Sequence, residues 1–149
     1  MKNTQTSTKY VEWLSAEEMH AASKEWLSEL EFIKDEHLFL DDLIKSYTLQ
    51  LIEPNKFAGN KEIIDAINNS QKRNNTLIDA VKVHENELHI MVDGVNQTDE
   101  EDAYKQGHRD LILKINDFLK YYRSLKIQLF EIIKKIKKDE KIRLLIEHK

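Results

Sequence analysis

YKQGHRDLILKINDFLKYYRSLKIQLFEIIKKI, residues 104–136, decides the fold. Starting from Tyr104 and His108, its side chains Leu111, Ile115, Phe118, Tyr122, Leu125, Leu129, Ile132 and Ile136 recur in alternating steps of four and three. At 3.6 residues per turn, that spacing holds one stripe of a helix against its neighbours, whereas a strand would need alternation by two. Ile112, Leu119 and Ile133 widen the stripe, so the helix is expected to pack against at least two others.

The same beat runs through Trp26, Leu30, Ile33, His37, Leu40, Ile44, Tyr47 and Leu51, with Phe32, Phe39 and Leu43 beside it. A weaker third segment opens with Ile63, Ile64 and Ile67 and closes with Leu77, Ile78, Val81, Leu88 and Met91. Its middle, NNSQKRNN at 68–75, predicts either a kink or a hydrated polar layer.

Punctuation sets the boundaries. Ser15 followed by Glu18 is a capping box, with Leu14 and Met19 as the hydrophobic staple. Pro54 stops the first helix, because the residue before a proline is pushed out of the α region. EPNKFAGN, residues 53–60, is the expected loop, with Asn60 capping the next helix. Gly94 suits a left-handed helix end, and Thr98 with Glu101 makes a second capping box. The expected layout is a flexible tail at 1–14 and one domain at 15–149, with helices at about 16–52, 61–93 and 99–147.

Composition agrees with an all-α class. The 149 residues include only three glycines and one proline, and 34% are charged, which favours long helices. Without cysteine there is no disulfide framework and no thiolate chemistry, which suits a reducing compartment such as the cytoplasm. No apolar run suggests a signal sequence or membrane span. A formal charge of −4 gives no global reason to expect nucleic acid or an anionic membrane as partner. Lys134, Lys135, Lys137 and Lys138 form a local basic patch, but Asp139, Glu140 and Glu147 interrupt it, and a solvated helix face accounts for it.

Short loops imply an up-down-up bundle in which the third helix is longest and overhangs its neighbours. Its apolar strip, Leu125, Leu129, Ile132, Ile136, Leu144 and Leu145, would then be the interaction surface, covered by a second copy or by another protein. The alternative is that this helix breaks near Lys138 and folds back. Gly107, inside the helix, suggests a close helix crossing.

Histidines interrupt the beat. His37, His84 and His108 fall on seam positions where Leu or Ile would be usual. Counting through the loops places His84 level with His108, and both level with Ser28, Glu29 and Leu30; His37 falls near Asn74. His84, His108, Glu29 and Glu85 would then be either a buried polar layer fixing register or ligands for a transition metal such as Fe, Zn or Mn. His37 and Asn74 are expected to be a polar core layer. Di-iron bundles need Glu-x-x-His on two helices, and the chain has that spacing only from Glu17 to His20; the His37 to Asp41 and Glu85 to His89 steps are only faint echoes of other metal bundles. No glycine-rich phosphate loop, nucleophile elbow or zinc helix HExxH occurs. The expectation is a non-catalytic interaction protein, homodimeric and without cofactor, with a metal- or cofactor-binding bundle as the alternative.

Overall fold

The computed structural model describes residues 14–53, 57–93 and 98–147. The expected tail falls outside these from residue 1 to 13, as does Gly94. Every element in the described residues is a helix: α1 (Ala16–Ser46), α2 (Thr48–Leu51), α3 (Phe57–Asp93) and α4 (Thr98–Glu147). No described helix is long and apolar enough to cross a membrane.

Helix α1 begins where its cap dictates. Ser15 Oγ accepts the Glu18 N–H at 3.1 Å, and Glu18 Oε1 accepts the Ser15 N–H at 3.1 Å. Leu14 packs against the cluster of Met19, Leu88 and Tyr104. The expected run to residue 52 is instead broken at Tyr47. Ser46 Oγ donates to the Asp42 carbonyl at 2.9 Å, and Thr48 Oγ1 lies within 3.2 Å of the Ile44 and 2.9 Å of the Lys45 carbonyls. Hydroxyls that bond back to carbonyls compete with the helical N–H groups and bend or end the helix.

Helix α3 starts four residues before the expected boundary, so Asn60 is no cap. Its buried side chain reaches across the turn, donating from Nδ2 to the Leu51 carbonyl at 3.0 Å. The polar stretch 68–75 does not interrupt α3, which runs through it as helix and buries only Ser70 and Asn74 from it. Helix α4 is likewise unbroken past Lys138 over its 50 residues, which rules out the fold-back. Thr98's side chain falls outside the described set, so its capping role is not described.

Helix α3 packs directly on both α1 and α4. Passing along α1 from His20 to Leu30 to His37, the hydrogen-bonded partners on α3 step backwards from Glu85 to Asn74 to Ser70. From α3 to α4, Arg73 meets Asp117 and His84 meets His108. The backbones of α1 and α4 stand further apart and are joined through long side chains: Trp26 on His108, His37 on Tyr122, and Glu36 to Tyr122 and Lys126.

Relative to the sequence count, α1 is shifted along α3 by about two turns. The break at Tyr47 removes α2 from the straight run, so counting through residues 47–52 as helix overestimated the reach of α1. The core is also longer than expected. Leu125, Leu129 and Ile136 are buried within the chain and Ile132 is half-buried against the core, so these four are not an exposed interaction strip. The strip shrinks to Leu144 and Leu145, which are exposed.

Candidate functional site

Among the described residues, six polar ones occupy fully inward positions on the long helices beyond their first turns: Ser23, His37, Ser70, Asn74, His84 and His108. They form two layers.

The first layer centres on the histidine pair. His84 Nε2 and His108 Nδ1 are 2.9 Å apart. Around them the rings form a continuous stack across three helices. Trp26 lies 4.7 Å from His108, His108 lies 5.1 Å from His84, and His84 lies 4.1 Å from Tyr104 with the planes 7° apart. Such stacking combines apolar burial with a fixed ring geometry. Burial lowers His84 to about 4, and burial followed by the charge of His84 lowers His108 to about 4, so both rings are neutral at pH 7. A neutral pair needs one donor and one acceptor. His108 Nε2 is buried without a hydrogen-bond partner, and an orphaned lone pair costs less than an orphaned N–H. That favours the tautomer in which His108 Nδ1–H donates to His84. Ser23 Oγ and Tyr104 OH are also buried without partners, so the layer retains unused hydrogen-bonding capacity.

The expected carboxylates do not join this pair. Neither carboxylate oxygen of Glu29 has a hydrogen-bond partner, and burial, then the nearby Glu25 charge, raises its pKa. Glu85 turns the other way: its Oε2 is bonded to His20 Nδ1, and its Oε1 is buried and unpartnered. Among the described residues no set of three or more His, Asp or Glu side chains converges as a ready-made metal site. The arrangement at His84 and His108 is therefore two imidazoles satisfying each other, and α1 contributes Trp26 to them rather than Glu29.

The second layer holds His37, which has no solvent exposure. Its Nδ1 donates to the Ile33 carbonyl at 3.0 Å, while Nε2 lies 2.8 Å from Ser70 Oγ. Ser70 Oγ is also 2.7 Å from the Ile67 carbonyl. The neutral ring presents only a lone pair at Nε2, so the single Ser70 proton must serve both Nε2 and Ile67. Burial lowers the His37 pKa, opposed by the Ile33 hydrogen bond. Asn74, expected beside His37, bonds to the Leu30 carbonyl at 2.9 Å instead. Tyr122 stacks 4.9 Å from His37 and donates to Glu36 Oε1 at 2.7 Å, and Lys126 lies 2.9 Å from the same oxygen.

Gly107 does not mark a close crossing: an added Cβ would meet nothing within 4 Å. It borders a shallow groove between α3 and α4 shared with His84, Glu87, Asp110 and Lys114. The four patch lysines are exposed, and Lys134 pairs with Glu131 at 3.4 Å.

Sequence reasoning missed Ser23, Ser70 and the His20–Glu85 link. Extending the α1 beat backwards from Trp26 in steps of three and four reaches Ser23 and Met19, and the α3 beat from Ile67 reaches Ser70 and Asn74, so the first two were legible. His20 was not, because its partner depends on the α1–α3 register.

The chain matches no family model, no curated protein and no solved structure, so its function is argued from its own side chains.

Proposed function

We propose that this protein is an up-down-up bundle that acts by binding protein, with a second copy of itself as the partner and the cytoplasm as its setting. One observation carries the reading. Helix α4 has 50 residues against 31 in α1 and 37 in α3, and among the described residues the bundle's hydrogen bonds reach along it as far as Glu140, from Gln50. Beyond that point Ile142, Leu144, Leu145 and Ile146 are 48–65% exposed. Burying one such side chain fully is worth roughly 1.5–3 kcal/mol, so four of them in one short segment favour a covered state.

The His84–His108 and His37–Ser70 layers suit a scaffold role in this reading: buried polar pairs penalise misaligned packing more than they add to stability. No chemistry is assigned to them. The test is sedimentation of the tag-free chain across a micromolar concentration range, beside the double variant Leu145→Glu, Ile146→Glu. The expected outcome is a reversible dimer for the parent and a monomer of unchanged helicity for the variant. A parent that stays monomeric at high micromolar concentration refutes self-association.

A further inference from the structure

We infer that His20, Glu85 and His89 form a divalent transition-metal site at the end of the bundle opposite the bare tip of α4. Glu85 and His89 stand four apart on α3 and so share a helix face. His20 on α1 meets that face: its Nδ1 is bonded to Glu85 Oε2, and its ring centroid lies 6.0 Å from that of His89. Two imidazoles and one carboxylate are the donor set of open zinc and iron sites, and imidazole suits Zn, Ni, Cu and Fe.

The three groups do not surround a common point as they stand, so binding an ion requires the histidine rings to turn. With metal–nitrogen bonds of about 2.1 Å, two imidazoles on one tetrahedral ion have ring centroids about 5 Å apart, so the pair must close by about 1 Å. His20 and His89 are both solvent-accessible, whereas Glu85 is held at 16% side-chain exposure. The ion would take the position of the hydrogen bond between His20 and Glu85, with water completing its coordination.

Two buried groups beside these residues are free to form an outer shell. Glu85 Oε1 is buried without a partner, and the Tyr104 hydroxyl is likewise buried and unpartnered. The Glu85 charge reaches that hydroxyl strongly enough to help raise its pKa, after burial itself. A hydroxyl that can donate to the free oxygen of a ligating carboxylate orients it for metal. Tyr104 also stacks on His84, which connects the site to the buried pair. This site is distinct from the His84–His108 centre and independent of self-association.

The test is titration of the tag-free chain with Co2+, followed by its visible absorption, and with Zn2+ by calorimetry in chelator-free buffer. One ion per chain is expected. His20→Ala, His20→Gln and His89→Ala should each weaken binding at least tenfold at unchanged helicity, and Tyr104→Phe about tenfold. Binding should weaken on acidification, because the ligands must lose their protons. His148→Ala should leave it unchanged. Absence of saturable binding, or an affinity that survives both His20→Ala and His89→Ala, overturns the assignment.

Discussion

Acid should unfold this protein through its histidine pair. In the folded chain His84 and His108 are lowered from 6.5 to about 4, chiefly by burial. The unfolded chain therefore takes up these protons first as the pH drops. The stability they contribute is fully present above about pH 6.5 and is lost progressively down to about pH 4. One such shift is worth about 3 kcal/mol, with a slope of at most about 1.4 kcal/mol per pH unit. Both imidazoles are protonated in the unfolded chain, so their losses add, and in the folded chain a charge on either opposes protonation of the other, only 2.9 Å away. His37, also lowered by burial, acts in the same direction. Glu29, whose pKa is raised, acts in the opposite one. The assay is urea unfolding at a series of pH values from 7 to 4.5, comparing the parent with the double variant His84→Leu, His108→Leu. At a urea slope of roughly 1–3 kcal/mol per molar, the parent midpoint should fall by about 1–2 M over that range for each imidazole of the pair. The variant keeps His37 and Glu29 and should lose that part of the dependence. Parallel curves for parent and variant would refute the buried neutral pair. If the double variant fails to fold, the single variant His84→Gln, which removes one of the two titrating imidazoles while keeping a hydrogen-bonding group, should lose about half of that dependence.

Two further outcomes follow from the packing. Gly107→Ala should stabilise the chain by about 1 kcal/mol, because a helix-interior glycine gains in propensity and the new methyl meets nothing within 4 Å; a lower melting temperature would show that the groove beside His84 is occupied. Ser70→Ala should cost about 1–3 kcal/mol, since it leaves His37 Nε2 buried without a partner; a neutral effect in thermal unfolding would mean that water replaces the hydroxyl.

Much of the fold was legible because helix stripes are local. The four-three beat identified α4 and most of α1, and the Ser15 and Glu18 pair fixed where α1 starts. The same beat put His84, His108 and His37 inside, and all three are buried. What the sequence could not supply was register. The interruption at Tyr47 comes from hydroxyls of Ser46 and Thr48 bonding back to carbonyls, an effect weaker than any proline signal, and it moves α1 by about two turns against α3. That displacement is why Trp26 rather than Glu29 meets the histidine pair, and why Glu85 reaches His20. It also explains the expected interaction strip: with α2 and the first turn of α3 tied together through Asn60, the bundle covers α4 as far as Ile136.

The contact between Trp26 and His108 gives the molecule its own optical gauge. An indole 4.7 Å from an imidazole loses emission when that ring becomes a cation. Fluorescence intensity of a Trp13→Phe variant, which leaves Trp26 as the sole tryptophan, followed beside circular dichroism would distinguish charging of the interior from loss of helix without any attached dye.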